Sequence, residues 1–292
     1  MDWRSRISRA FISGNNRRAK AFIVSHFGNG ADLNLNVSDG WPETFFTSPS
    51  DKYIGKQVPA TGGFEFDKFE MCVALLGANF SRKLLLDVGA NVGTTCIPAV
   101  KRGIFEHAIA FEPGPLNHSL LLANVAINGL IKRIDVHPFA IGNKDDESLT
   151  FELSEINSGD HRVRFTNSNG KQNEVNREVV SVKSKTLDYF TVGLDLSSTF
   201  IWVDVQGSEG HVLAGATETL RRRPAILLEF WPYGLRRSGG FDMLKSAIQG
   251  AGYTSMVDLR NPGAALSTDN DTFGKLFTEI EKSVGFTDLL LR

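Results

Sequence analysis

Two stretches of the chain combine residue types that can hold a charged, nucleoside-like ligand. Leu84-Leu85-Leu86-Asp87-Val88 has the apolar run of a buried strand and leads straight into Gly89-Ala90-Asn91-Val92-Gly93. Small residues in such a turn let the backbone approach a ligand and present N–H groups at the start of the following helix. Glu112 closes the next strand, Ile109-Ala110-Phe111. It lies roughly 20 residues beyond the turn, where an acid accepts the hydroxyl hydrogens of a ribose. The turn lacks both the G-x-G-x-x-G spacing of dinucleotide sites and the G-K-[ST] of a phosphate loop. Asp87, inside the strand end, suits a cationic group such as an amino-acid ammonium. S-Adenosylmethionine carries an ammonium, a sulfonium and a ribose, and so fits Asp87 and Glu112 better than a dinucleotide does. The plain alternative is an ordinary strand–helix turn with a solvated Glu112.

A second acidic set follows. Asp204 ends the run Phe200 to Val205, Glu209 opens the next helical stretch, and Glu229 lies near the end of Ala225 to Phe230. Displacement at a sulfonium mainly requires an aligned nucleophile, and a hydroxyl nucleophile also gains from a base. The candidates are Asp204, Glu209, Glu229 and His161, the last in Ser158-Gly159-Asp160-His161-Arg162. Asp204 has the best position, because open α/β sheets bind ligands at the carboxyl ends of their strands. A neutral imidazole is also a suitable base near neutral pH. The plain readings are a solvated loop histidine, a helix N-terminal charge for Glu209, and a Glu229–Arg236 ion pair. Trp231 is a candidate wall for an acceptor pocket. Gly62-Gly63-Phe64 is a candidate cover that would exclude water, with Lys52, Tyr53 and Lys56 near the acceptor.

These residues need a particular scaffold. Strand-like runs at 84–88, 109–111, 134–141, 200–205, 225–230, 253–259 and 287–291 alternate with helix-like runs at 117–127, 209–222 and 241–249. Such alternation predicts a mainly parallel sheet with helices on both faces. The region 142–199 breaks the alternation and is expected to form an insertion. In it, Leu149 to Leu153 and Val179 to Val182 flank a polar stretch, Asn157 to Arg177, that reads as a long loop.

Taken together, Leu86 to Gly93, Phe111-Glu112-Pro113, Asn124, Asn128-Gly129-Leu130, Val203-Asp204-Val205-Gln206-Gly207-Ser208-Glu209 and Leu228-Glu229 resemble the FkbM family of S-adenosylmethionine-dependent methyltransferases. The resemblance covers about residues 84 to 230 and rests on D-V-G-A-N-x-G followed by D-V-Q-G-x-E. It implies the class I methyltransferase fold, a Rossmann-like seven-stranded sheet with an antiparallel last strand. It also implies O-methylation of a hydroxyl on a small molecule or sugar. By position, Asp87, Gly89, Ala90, Asn91 and Gly93 would hold the methionine end, Glu112 the ribose, Asn117 the adenosine, and Phe139 and Ala140 the adenine. Asp204 would lie beside the methyl group. Apart from the resemblance, Glu229, Trp231 and Phe64 are the candidate contacts for the acceptor, with an ion pair, plain packing and a simple connector as their ordinary readings. No metal is expected, although Asp204, Glu209 and Glu229 are the set that could hold one. The competing functions are a cofactor-binding protein without turnover, such as a sensor or partner subunit, and a nicotinamide oxidoreductase.

Composition narrows the setting. The chain has 292 residues with 32 Lys+Arg and 33 Asp+Glu, a balance that gives no electrostatic basis for non-specific nucleic-acid binding. Two cysteines give no disulfide framework, so a reduced, cytoplasmic setting is expected. No apolar run approaches the ~20 residues of a membrane span. Residues 1–80 are expected to form an N-terminal helical extension with a lid segment, ahead of a catalytic domain at 81–292. Within that extension, Arg4, Arg6, Arg9, Arg17, Arg18 and Lys20 face one acid, Asp2, in the first 20 residues. This start fits either a basic helix packed on the domain or an organelle transit peptide.

Overall fold

The structure, a computed structural model, describes residues 36–38, 41–283 and 285–292. The basic N-terminal segment lies outside the described residues.

Eight strands form the central sheet: β3 (Leu84–Val88), β4 (His107–Phe111), β5 (Ile134–His137), β10 (Thr199–Val203), β11 (Ala225–Phe230), β12 (Ser255–Asp258), β13 (Ala265–Ser267) and β14 (Thr287–Leu291). Their spatial order is β13-β12-β14-β11-β10-β3-β4-β5. β5, β4, β3, β10 and β11 pair in parallel, and β14 inserts antiparallel between β11 and β12. Without β13, this is the seven-stranded class I methyltransferase order. β13 adds an eighth strand at the edge, antiparallel to β12.

The central strands are apolar throughout because both faces are covered. Alternate residues serve opposite cores. Leu85, Phe200, Trp202 and Leu227 join the core under α2 (Phe66–Leu76), α3 (Cys96–Lys101) and α4 (Pro115–Ile127). Leu86, Val88, Ile201, Val203 and Leu228 join the core under α6 (Glu209–Ala214), α9 (Gly240–Gly250) and α10 (Asn270–Ser283).

Two elements are shorter than the sequence suggests. The single strand expected at 134–141 is two, β5 and β6 (Phe139–Ile141). Pro138 between them has no N–H to continue a ladder, and β6 leaves to pair with β9 (Glu178–Lys185). The helix expected at 209–222 divides at Gly215 into α6 and α7 (Thr217–Leu220).

The insertion is a second sheet in the order β6-β9-β7-β8, with β7 at Ser148–Leu153 and β8 at Arg162–Val163. The polar stretch expected to be a loop is ordered by buried charge. The Arg162 guanidinium meets Glu152 at 2.8 Å, Asp160 at 2.6 Å and Glu174 at 3.3 Å, and it is 6% exposed. Arg164 adds a 3.0 Å pair to Glu152, and Arg177 closes on Asp160.

The described part of the N-terminal extension is not purely helical. β1 (Asn36–Ser38) and β2 (Phe45–Thr47) pair ahead of α1 (Ile54–Thr61) and α2. Phe45, Phe46 and Phe69 are buried in the same core as the sheet. Asn124 ties this segment down: its side chain accepts from Phe46 N at 2.6 Å and donates to Phe46 O at 3.1 Å and Val92 O at 2.9 Å. Asn128 repeats the pattern on Thr44. Both asparagines of the resemblance therefore hold structure together in this fold.

Candidate active site

At the carboxyl ends of β3, β4 and β10 lies a narrow cleft of about 500 Å³, mouth included. The turn after β3 is forced by its neighbour. Gly89 has φ +91°, and a Cβ there would sit 1.9 Å from the Asp204 carbonyl oxygen. Glycine thus lets the turn touch the end of β10, whose Asp204 N–H donates to Val88 O at 3.0 Å. Asn91 also adopts a positive φ of 50°. Its N–H donates to Glu112 Oε2 at 3.0 Å, and the Gly114 N–H donates to Oε1 at 2.7 Å. Two backbone donors therefore orient the Glu112 carboxylate at the cleft. Burial pushes its carboxyl up to about 7, against the pull of both donors.

Phe139, Ala140, Ile141 and Phe151 line the same cleft. A fixed carboxylate beside an apolar slot has the chemistry of an adenosyl site, ribose on the acid and base on the slot. Among the expected cofactor contacts, Gly89, Asn91, Glu112, Phe139, Ala140 and Asp204 do line it. Asp87, Ala90, Gly93 and Asn117 lie behind or beside it. Asp87 Oδ2 accepts from Cys96 N at 3.1 Å and so anchors the start of α3. Burial pushes the Asp87 carboxyl up to about 7. A Cβ on Gly93 would meet Ile97 and Leu121, so this glycine serves helix packing. Asn117 donates to Ser158 O at 3.3 Å and lines a flanking groove instead.

The cleft is roofed by a strap from the insertion. Ser158, Gly159 and His161 line it from above, while Asn157 and Asp160 face a second cavity. The strap is clamped from the N-terminal segment. Asp51 Oδ2 accepts both the Ser158 N–H, at 2.9 Å, and the Ser158 hydroxyl, and Lys52 N donates to Ile156 O at 2.8 Å. Asp51 and Ser158 were not singled out as contacts by their sequence, since 107 residues separate them.

The second cavity, about 1140 Å³ with its mouth, adjoins the first across the turn 204–206. It is lined by Tyr53, Trp231 and Phe286 together with Gln206, Glu229 and Asn157. Gln206, at φ +53°, spans the boundary. Its Nε2 donates to Asp204 Oδ1 at 2.6 Å and to Glu229 Oε2 at 3.1 Å. Burial pushes Asp204 up to about 6 and holds Glu229 well above the usual carboxylate range. Arg236 pairs with Glu281 at 2.8 Å, so the expected Glu229–Arg236 bridge does not form.

Three expectations change. His161 Nδ1 accepts from Ser154 N at 2.9 Å. Its proton is therefore on Nε2, and burial lowers its pKa to about 4. No free lone pair is left, so in this arrangement His161 is a donor at the roof and not a base. Glu209 Oε1 accepts from Val205 N at 3.2 Å and Gly207 N at 3.1 Å. Its carboxylate shapes the turn that carries Asp204 and Gln206 and does not line either cavity. Phe64 packs partly buried against the main core and does not line the cleft, so the cover over the cleft is the strap, not Gly62-Gly63-Phe64. Among the described residues, no three His, Cys, Asp or Glu side chains converge in a metal-holding arrangement.

A family model for the methyltransferase FkbM domain matches residues 87–255, more than half of the chain. The chain belongs to the FkbM methyltransferase family. It is 30% identical over 160 residues to the 2-O-methyltransferase NoeI of Sinorhizobium fredii (strain NBRC 101917 / NGR234), which covers 50% of this chain and 63% of NoeI. The match thus spans less than two-thirds of that relative. Among solved structures, M. jannaschii TYW2 in complex with AdoMet aligns at 9% identity and TM-score 0.39, over 89% of this chain and 85% of that one. Geranyl diphosphate methyltransferase in complex with SAM aligns at 11% identity and TM-score 0.37, over 78% and 84%. The fold of this FkbM-family chain is carried by its own strand order. No helix among the described residues is long and apolar enough to cross a membrane.

Proposed function

We propose that this member of the FkbM family is an S-adenosylmethionine-dependent methyltransferase that O-methylates a hydroxyl of a sugar or similar polyhydroxylated small molecule. The observation that carries this is the juxtaposition of two unlike cavities across one turn. The first offers two carboxylates, Glu112 and Asp204, beside an apolar slot, and the second offers carboxamides, acids, the Arg177 guanidinium and aromatic rings. Aromatic faces beside hydrogen-bonding side chains suit a sugar ring, which has apolar C–H faces and polar edges. NoeI, named as a 2-O-methyltransferase, supports a hydroxyl acceptor.

Bound S-adenosylmethionine supplies an activated methyl on a sulfonium that leaves as a neutral thioether. Glu112 would hold the ribose hydroxyls, and Phe139 and Ala140 the adenine. Asp204 would take the acceptor's proton, with Gln206 fixing its orientation and Trp231 and Glu229 orienting the acceptor. The strap would exclude water from the first cavity. Asp87 and Glu209 would act indirectly, through α3 and the turn. The paucity of cysteine supports a cytoplasmic setting.

The test incubates the protein with S-adenosylmethionine and a panel of methyl glycosides and simple alcohols, with S-adenosylhomocysteine release as readout. Turnover of at least one glycoside is expected, and Asp204→Asn should lower kcat about 100-fold, within the range of a lost general base, while leaving S-adenosylhomocysteine affinity within about threefold. A fully active Asp204→Asn variant would remove Asp204 as the base.

A further inference from the structure

Lys68 and Asp288 lie outside residues 87–255, the span of the family match, yet they adjoin the acidic bridge that joins the two cavities. Lys68 Nζ meets Asp288 Oδ2 at 2.9 Å and Glu65 Oε2 at 2.9 Å. Asp288, on β14, pairs in register with Glu229 on β11. Glu229 in turn shares the Gln206 carboxamide with Asp204. Asp288 and Glu229 are each 8% exposed. Phe286, on the same segment as Asp288, lines the acceptor cavity and lies 5.9 Å from Lys68 Nζ.

The charged groups around the bridge are Glu65 and Lys68 from α2, Asp204 after β10, Glu209 at the start of α6, Glu229 on β11 and Asp288 on β14. Asp258 and Arg260, paired at 2.6 Å, stand behind Asp288. Lys68 is the cation that lowers both Asp204 and Glu229, whereas Asp288 raises both. Two acids joined through one amide and buried together do not both ionise readily. Cross-strand pairing sets Asp288 against Glu229 and so biases the proton toward Glu229.

We propose that Lys68 and Asp288 are positioning residues for methyl transfer: their ion pair keeps Asp204 ionised and Glu229 protonated on either side of Gln206, so that the acceptor's hydroxyl proton passes to Asp204. The C–O bond forms as the methyl–sulfur bond breaks, the electron pair stays on sulfur, and the released proton ends on the Asp204 carboxylate. This rests on the assignment of Asp204 as the base. The helix α2 and the strand β14, both outside the span of the family match, then contribute to a site whose base lies within it.

Opposite-sign charge removal tests it. Lys68→Met should move the acid limb of the kcat–pH profile up by about one pH unit, the low end of the shift from a nearby charge. Asp288→Asn should move it down, Lys68→Arg should restore it, and Lys68→Met with Asp288→Asn should return near the wild-type position. Carbon-detected NMR titration of the Asp204 and Glu229 carboxyl groups should shift in the same directions. S-Adenosylhomocysteine affinity should stay within about threefold in every variant. A merely structural pair would lower stability in both single variants without opposite displacements. Limbs and titrations that stay in place, or that move in the same direction in both, overturn the proposal. If no acceptor in the panel turns over, the carboxyl titrations alone decide it, separately from the choice of acceptor.

Discussion

The most informative perturbation is Glu112→Gln. The wild-type carboxylate accepts backbone N–H groups from Asn91 and Gly114, one on each oxygen, and presents its remaining lone pairs at the cleft. A glutamine keeps the size but has one oxygen, so its NH₂ must face one of those backbone N–H groups. Ribose hydroxyls lose a charged acceptor, worth about 1.5–3 kcal/mol per hydrogen bond against about 1 for a neutral one. With two hydroxyls and one retained neutral bond, the net loss is about 2–5 kcal/mol. At 1.4 kcal/mol per decade, Kd should rise about 30- to 4000-fold. Calorimetric titration with S-adenosylhomocysteine at pH 8.5, about 1.5 units above the raised Glu112 carboxyl, measures this directly. The pH dependence gives a second check. Burial raises Glu112 to about 7, so its ionised acceptor is lost as pH falls below that value. Wild-type affinity should then weaken between pH 8 and 6, and the Gln variant should lose the part of that dependence due to residue 112. A variant that binds within about threefold of wild type, with an unchanged melting temperature, refutes the ribose assignment.

Other outcomes follow from the same geometry. Gly89→Ala sets a methyl 1.9 Å from the Asp204 carbonyl at φ +91°. Strain of about 1–3 kcal/mol plus the forced shift should lower the melting temperature and abolish S-adenosylhomocysteine binding; a fully stable, binding variant would contradict the close approach. Arg162→Met removes the cation shared by Glu152, Asp160 and Glu174, and because each acid keeps a second arginine the loss is about 1.5–3 kcal/mol. Limited proteolysis should then cut between residues 154 and 178, and unchanged resistance would speak against the ionic frame. Asp87, Glu112, Asp204 and Glu209 all have carboxyls raised above their ordinary values, to between about 6 and about 8. The folded state thus holds extra protons above the unfolded carboxyl range. The contribution of these four groups is full below about pH 4, their ordinary range, and cofactor-free stability should fall as pH rises from 5 toward 8 through their raised values. A melting temperature that rises across that interval would count against the buried acids.

What the sequence revealed and what it hid divide on physical grounds. β3, β10 and β11 were legible because strands covered on both faces read as unbroken apolar runs. Glu112 was legible because a strand end fixes where its side chain emerges. Pro138 within 134–141 carried the signal for a strand break, yet the apolar pattern on either side outweighed it. The ordering of 157–177 was not legible, since it depends on arginines meeting acids across the fold and not on local pattern. The role of His161 turned on Ser154 N, a backbone group with no sequence signature. Lys68 and Asp288 are 220 positions apart, and only the antiparallel return of β14 brings them together.

The insertion leaves the main sheet after β5 and returns before β10, and its four strands hydrogen-bond among themselves. Its β6 and Phe151 wall the slot beside Glu112 and Ser158–His161 roof it, whereas Gln172, Asn173, Asn176 and Arg177 face the second cavity. One small sheet thus touches both chambers, and a change confined to its 172–177 turn would remodel the second while leaving the wall of the first in place.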